Sequence, residues 1–146
     1  MSRTTLKLDT SGFEELINRY KKLGGDIKPI TEKALEKVGN KITEDTIEGV
    51  QKKNLPQKGK YSKGNTEASI VRNPKTTWSG ETASISVGFD YSKPGAGGFL
   101  ITGTPRMRPA PLLNAIYKRK AYMRHIQEEM IEVVQAAIKE RIENGR

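Results

Sequence analysis

The chain has 146 residues, 34% of them hydrophobic, no cysteine and a formal net charge of +9. That length suits one ordinary domain with a real core, 1–146, and excludes two comfortable ones. The lack of cysteine excludes a disulfide frame, a thiolate nucleophile and a cysteine-ligated zinc site.

The opening MSRTTLKLD is polar and has no apolar signal core, and no apolar run approaches the roughly 18 residues needed to cross a bilayer. A soluble, intracellular protein with no membrane partner is therefore expected. The charge is unevenly spread. Residues 1–48 carry nine bases and nine acids, residues 49–127 fourteen bases against three acids, and residues 128–146 three bases against five acids. A cationic middle of this kind can meet nucleic-acid phosphates, an anionic protein surface or solvent, and charge alone does not choose among them.

In chain order, Ser11 and Glu14 form a capping-box pattern, and Phe13, Leu16, Ile17, Tyr20 and Leu23 follow with helical spacing. Gly24 and Gly25 end that helix. Asp26 or a neighbour caps a second one, with Pro29 in its first turn and Ile30, Ala34, Val38, Ile42 and Val50 on one apolar stripe. Residues 51–66 hold five lysines, a proline, two glycines and no acid, the composition of a mobile basic loop held open by like-charge repulsion.

Strands are expected next. Residues 68–73 are short and partly alternating. Ala83, Ile85, Val87 and Phe89 alternate with Thr82, Ser84, Ser86 and Gly88, and a turn around residues 78–81 makes these two segments a hairpin. After the loop DYSKPGAGG, Phe99, Leu100 and Ile101 read as a third strand ending at Gly103. From Leu112 to Ile142 there is neither Pro nor Gly, and Met123, Ile126, Met130, Val133 and Ala137, widened by Ile131, Val134, Ile138 and Ile142, recur at helical spacing. A helix of about 30 residues spans roughly 45 Å, more than a small sheet covers, which predicts that part of its apolar face meets another subunit. The fold class is α+β: N-terminal helices, a small antiparallel sheet of about three or four strands, and a long C-terminal helix packed on the sheet.

Candidate chemistry is sparse. GKYSKGNT, residues 59–66, has the glycine spacing of a phosphate loop but Asn65 in place of the lysine, with no strand before it or helix after it. GAGG at 95–98 lacks a dinucleotide register. His125 with Glu128, Glu129 and Glu132 could begin a metal site, but no further ligands from another element are evident, and paired side chains on a solvated helix face explain them as well. No nucleophile–base–acid arrangement or nuclease-like carboxylate cluster stands out. The chain is expected not to be an enzyme and to hold no metal or cofactor.

The basic residues carry more weight. Lys52, Lys53, Lys58, Lys60 and Lys63 in the loop, Arg106 and Arg108 in the proline-rich turn, and Lys118, Arg119, Lys120 and Arg124 at the start of the last helix could form one cationic surface, with Tyr61, Tyr117 and Tyr122 interleaved. Tyrosines 117 and 122 are expected to pack beside the apolar stripe rather than stack on bases. Cations at the start of a helix oppose its dipole, so they are not there to help it form.

Three motifs in order resemble a known family: Pro56, KGNTEASI at 63–70, and Gly103, Thr104, Met107, Pro109, Pro111, Leu112, Leu113 and Ala115 within ITGTPRMRPAPLLNAI. Together they look like the siphophage tail-completion proteins, also called head-tail joining proteins or tail components, which show a TGxLxxSI-like strand start and later a GT turn followed by PxPFLxPA. Here Leu112 stands in place of the usual Phe, Ile101–Thr102 in place of an acidic and an aromatic residue, and the lysine loop is longer. The resemblance implies a bacteriophage or prophage virion protein that waits in the host cytoplasm before assembly into the neck. There it would form a ring, commonly hexameric, between the connector or stopper and the tail-terminator or tail-tube proteins, with DNA passing through the lumen. Gly103, Thr104, Pro105, Pro109 and Pro111 would then form the interface corner, because glycine and proline fix the angle at which the last helix leaves. Ring closure needs such an angle. The alternative reading is a basic nucleic-acid-binding module.

Overall fold

A computed structural model describes residues 6–9, 14–51, 54–55, 64–80, 82–90, 93, 95 and 97–144. The fold is mixed helix and sheet. In chain order the described elements are β1 (Leu6–Asp9), α1 (Glu14–Lys22), α2 (Ile27–Gly49), α3 (Asn65–Ala68), β2 (Thr77–Ser79), β3 (Thr82–Val87), α4 (Gly97–Thr102), α5 (Pro111–Lys118) and α6 (Lys120–Asn144).

Helix α2 is the common partner of the other elements: α1, β3, α5 and α6 all pack on it. Its start follows the expected chemistry, for the Asp26 carboxylate accepts from the Lys28 N–H at 3.1 Å and Pro29 lies in the first turn. Three apolar clusters lie along its length. Ile30 and Ala34 meet Val133, Val134 and Ile138 of α6, with Leu16 and Tyr20 of α1 beside them. Leu35, Val38 and Ile42 meet Ala83, Ile85 and Val87 of β3, Leu8 of β1, Ile116, Ile126 and Met130. Val50, just past the last turn, joins Ile70, Phe89, Leu100, Ile101, Ala110 and Leu113. Two glycines make the close approaches possible: a Cβ at Gly39 would sit 2.8 Å from Ile85 Cδ1, and one at Gly49 would sit 2.8 Å from Leu113 Cδ2.

The sheet is antiparallel in the order β1–β3–β2. Inward Ala83, Ile85 and Val87 alternate with outer Thr82, Ser84 and Ser86, as the period-two pattern predicts, and β2 joins β3 through Gly80 at φ +62°. Membership otherwise differs from expectation. Of the three strands expected within 68–101 only β3 forms as read; its hairpin partner is not 68–73 but β2, whose Trp78 and Ser79 belong to the expected turn. Residues 65–68 are a helical turn, which also shortens the expected loop, and 68–73 contribute one bridge, Ile70 to Phe89. The third strand is β1, whose Leu6, Lys7, Leu8 and Asp9 pair with Val87, Ser86, Ile85 and Ser84. Its apolar–polar alternation was present in LKLD but too short to stand without its partner.

Phe99, Leu100 and Ile101 are helical rather than extended, in α4. A strand would send Leu100 to the opposite face from its two neighbours. A helical turn lets Leu100 and Ile101 both enter the core while Phe99 stays 62% exposed. Gly97 allows that turn to lie against the Phe89 ring, where a Cβ would come within 2.5 Å of the ring carbons.

The expected long C-terminal helix is two helices. Arg119 is extended, φ −95° and ψ 131°, between α5 and α6. At about 100° per residue, Leu113 and Ile126 on one unbroken helix would point about 140° apart. Both are fully buried, and the break re-phases them. Helix α6 keeps 25 residues, about 37 Å. Its principal partners are α2 and α1 rather than the sheet, which corrects the expected packing. Its excess length is covered by the N-terminal helix pair, so length alone does not call for a second subunit. At that end Arg141 donates to the carbonyls of Leu23 and Gly24 at 3.0 and 2.7 Å, closing the α1–α2 glycine turn over α6. Ser11 and Phe13 of the capping-box expectation lie outside the described residues.

If α2 is the shared core, Leu35→Ala, at a fully buried position, lowers unfolding free energy by about 2–5 kcal/mol. Leu23→Ala in the glycine turn, where the side chain is 37% exposed, costs well under half of that. Urea titrations of the two variants distinguish them.

Candidate interface corner

The segment from α4 to α6 contains every expected corner residue, and backbone chemistry explains its rigidity. Helix α4 ends with carbonyls that need partners. Gly103 N–H donates to Phe99 O at 2.7 Å, Ala110 N–H to Leu100 O at 2.8 Å, and the Asn114 side-chain amide to Ile101 O at 2.9 Å. The end of α4 is thereby stitched to the start of α5 across the intervening loop.

That loop is a tight hairpin turn. Thr104 N–H donates to Met107 O at 2.9 Å and Met107 N–H to Thr104 O at 3.1 Å, with Pro105 and Arg106 at the tip. The Thr104 hydroxyl accepts from the Arg106 N–H at 3.3 Å. Gly103 has φ +76°, and a Cβ there would lie 2.8 Å from Pro109 Cδ and 3.0 Å from Met107 O. Only glycine meets both demands. Pro109 packs over Gly103, and Pro111 occupies the first turn of α5, where its missing N–H costs nothing. Gly103, Thr104, Pro105 and Pro109 thus meet around one turn, and Pro111 begins the helix that follows it. Pro105, Arg106 and Arg108 point outward from it and are exposed.

The α5–α6 break is held separately. Tyr117, in the last turn of α5, shares a 2.6 Å hydrogen bond with Thr46, and Tyr122, in the first turn of α6, donates to the Asp45 carboxylate at 2.5 Å. Adjacent residues of α2 therefore grip the chain on both sides of Arg119. Both tyrosines pack against the central cluster, as expected. Burial first, then the hydrogen bond to Asp45 and that carboxylate's charge, push the Tyr122 phenol well above its ordinary value near 10. Composition and spacing do not disclose these clamps. The one available signal was a pair of tyrosines bracketing a basic triplet in an otherwise amphipathic run.

The expected cationic surface is present in part. Arg106 and Arg108 sit on the corner, Lys118, Arg119 and Lys120 at the break, and Arg124 one turn into α6; all six are exposed. Arg119 Nε reaches Asn114 Oδ1 at 3.4 Å, the other end of the side chain that holds Ile101 O. Asn114, which sequence reasoning did not single out, links break to corner. Lys52, Lys53, Lys58, Lys60, Lys63, Tyr61 and Pro56 lie outside the described residues. His125 faces Glu129 at 3.4 Å as an ordinary pair one turn apart on α6. Among the described residues no group of acidic and histidine side chains is arranged to hold a metal ion, and no helix is long and apolar enough to cross a membrane.

No protein family, curated protein or solved structure matches this chain. Its function is therefore argued from the corner and its surroundings.

Two outcomes follow from this geometry. Gly103→Ala forces a side chain into a positive-φ position against backbone and is expected to lower stability by about 1–3 kcal/mol in thermal or urea unfolding. Because the raised Tyr122 keeps its proton in the folded chain after an unfolded tyrosine has lost one, the folded state loses stability as pH rises above about 10. Tyr122→Phe removes that contribution, so the stability–pH curve of the variant is flatter above pH 10, as measured by urea midpoints.

Proposed function

We propose that this chain is a non-enzymatic structural subunit of the bacteriophage head-tail junction. It would assemble with copies of itself into a ring, hexameric in the virion neck, between the connector or stopper and the tail-terminator or tail-tube proteins, with DNA passing through the lumen. Before assembly it would reside in the host cytoplasm.

The observation that carries this reading is the corner at 103–111. It is cross-tied by backbone hydrogen bonds, yet its outer side chains serve nothing in the chain's own core. Beside it Phe99 and Leu112 are 62% and 40% exposed, large apolar surface next to arginines of the kind that protein interfaces use. The GTP-x-M-x-PAPLL stretch of the tail-completion resemblance falls on this turn and the start of α5, where Leu113 and Met107 pack inward while Pro105 and Leu112 are exposed. A heterologous contact repeated around an axis closes only when the rotation per subunit is fixed, and a turn locked by glycine, two proline rings and paired backbone bonds meets that need. The basic segment at 51–66 is assigned to docking against the neighbouring ring.

Chemical cross-linking of assembled particles, read by mass spectrometry, should connect residues of the corner to connector or tail-tube proteins. Phe99→Asp should leave the purified chain folded while particles accumulate as separate heads and tails. Complete, infectious tailed particles made without this protein would overturn the reading.

A further inference from the structure

We infer that the surface running from the corner to the α5–α6 break is a binding face for the phosphate backbone of duplex DNA, independent of base sequence. Residues 91–127 contain seven lysines and arginines and no acid. Six of these, Arg106, Arg108, Lys118, Arg119, Lys120 and Arg124, are exposed, and among the described residues none of them forms an ion pair.

One chain of contacts links the two clusters. The Arg119 side chain reaches back along α5 to Asn114, whose amide holds Ile101 O at the end of α4, next to the corner. Helix α5 has eight residues, about 12 Å. This helix lies between the corner arginines and the break, so the cations form two groups along the chain, each able to meet phosphates.

The placement also disfavours an internal role. Lys120 and Arg124 begin α6, where the helix dipole already presents positive charge. They repel it and one another, a cost that an external anion lowers. Protein interfaces are depleted of lysine, and two of the three residues at the break, Lys118 and Lys120, are lysines. A surface of one sign suits a uniform polyanion. Because such contacts are made to phosphates and weaken steeply with salt, DNA can slide across them rather than lodge.

The proposal does not rest on the neck assignment, because it is tested on the purified full chain without particles. Fluorescence anisotropy with a random-sequence DNA duplex is expected to show affinity falling about a thousand-fold between about 50 and 200 mM salt, the behaviour of about six phosphate contacts. Arg106→Gln with Arg108→Gln, and separately Lys118→Gln with Lys120→Gln, should each lower the log–log salt slope by about 2, and the four together by about 4. All these side chains are exposed, and circular dichroism checks that each variant folds. Lys33→Gln with Lys37→Gln, exposed lysines on α2, should leave the slope unchanged. An equal loss from that control pair would show only diffuse attraction by net charge and overturn the proposal. So would no loss from either patch pair, salt-insensitive binding, or displacement of the DNA by poly-aspartate at equal charge, the last indicating an acidic protein partner instead.

Discussion

Burial of one helix along its whole length is the constraint on which this fold depends. Helix α2 is 23 residues long, and ten of them are buried, against α1 and α6 near its start, the sheet at its middle, and α5 and the α4 region near its end. No other element touches all three clusters. The strands are short and α1 contributes no fully buried residue among those described, so each gains its stability from contact with α2 rather than from its own hydrogen bonds. So central a position buries polar groups of α2, and among the described residues the Thr31 hydroxyl is left without a hydrogen-bond partner. Thr43 and Thr46 return their hydroxyls to the carbonyls one turn back at 2.9 and 2.7 Å, and Thr46 also meets Tyr117.

The same helix governs the functional end of the molecule. Asp45 and Thr46 hold Tyr122 and Tyr117, so the break at Arg119 is a fixed angle rather than a loose joint. Gly49 lets Leu113 approach, seating α5. The corner then follows from α5 and α4 being tied together by Ala110 and Asn114. Rigidity passes from the core outward to a turn whose exposed side chains are free to serve a partner. This continuity connects the neck proposal and the DNA-binding proposal physically, although they make separate claims about what the turn and the break touch.

Much of this was legible beforehand where a local pattern was long or chemically demanding. The α2 stripe, the Asp26 cap, the Gly24–Gly25 turn and the alternation of β3 all appear where spacing indicated, because periodicity over several turns reports a buried face without reference to what covers it. The corner was legible for a different reason: glycine at positive φ and closely spaced prolines restrict the backbone wherever they occur. Short apolar runs were not legible. Phe99–Ile101 suits a buried strand as well as a helical turn, and the outcome was set by Phe89 lying over Gly97 and by the core accepting Leu100 and Ile101 together. Asn114 was equally silent, since its value lies in two partners at Ile101 and Arg119.

Sequence by itself determined which faces are apolar, where the chain must turn sharply, and that positive charge gathers between residues 49 and 127. Tertiary structure alone decided that β1 completes the sheet, that α2 and α1 rather than the sheet are the main partners of α6, and that the last helix breaks at Arg119. The physical reason is that a break without Pro or Gly has no local cause. Leu113 and Ile126 lie on different sides of an ideal helix, and only their common need to reach the α2 core makes an interrupted helix better than a continuous one.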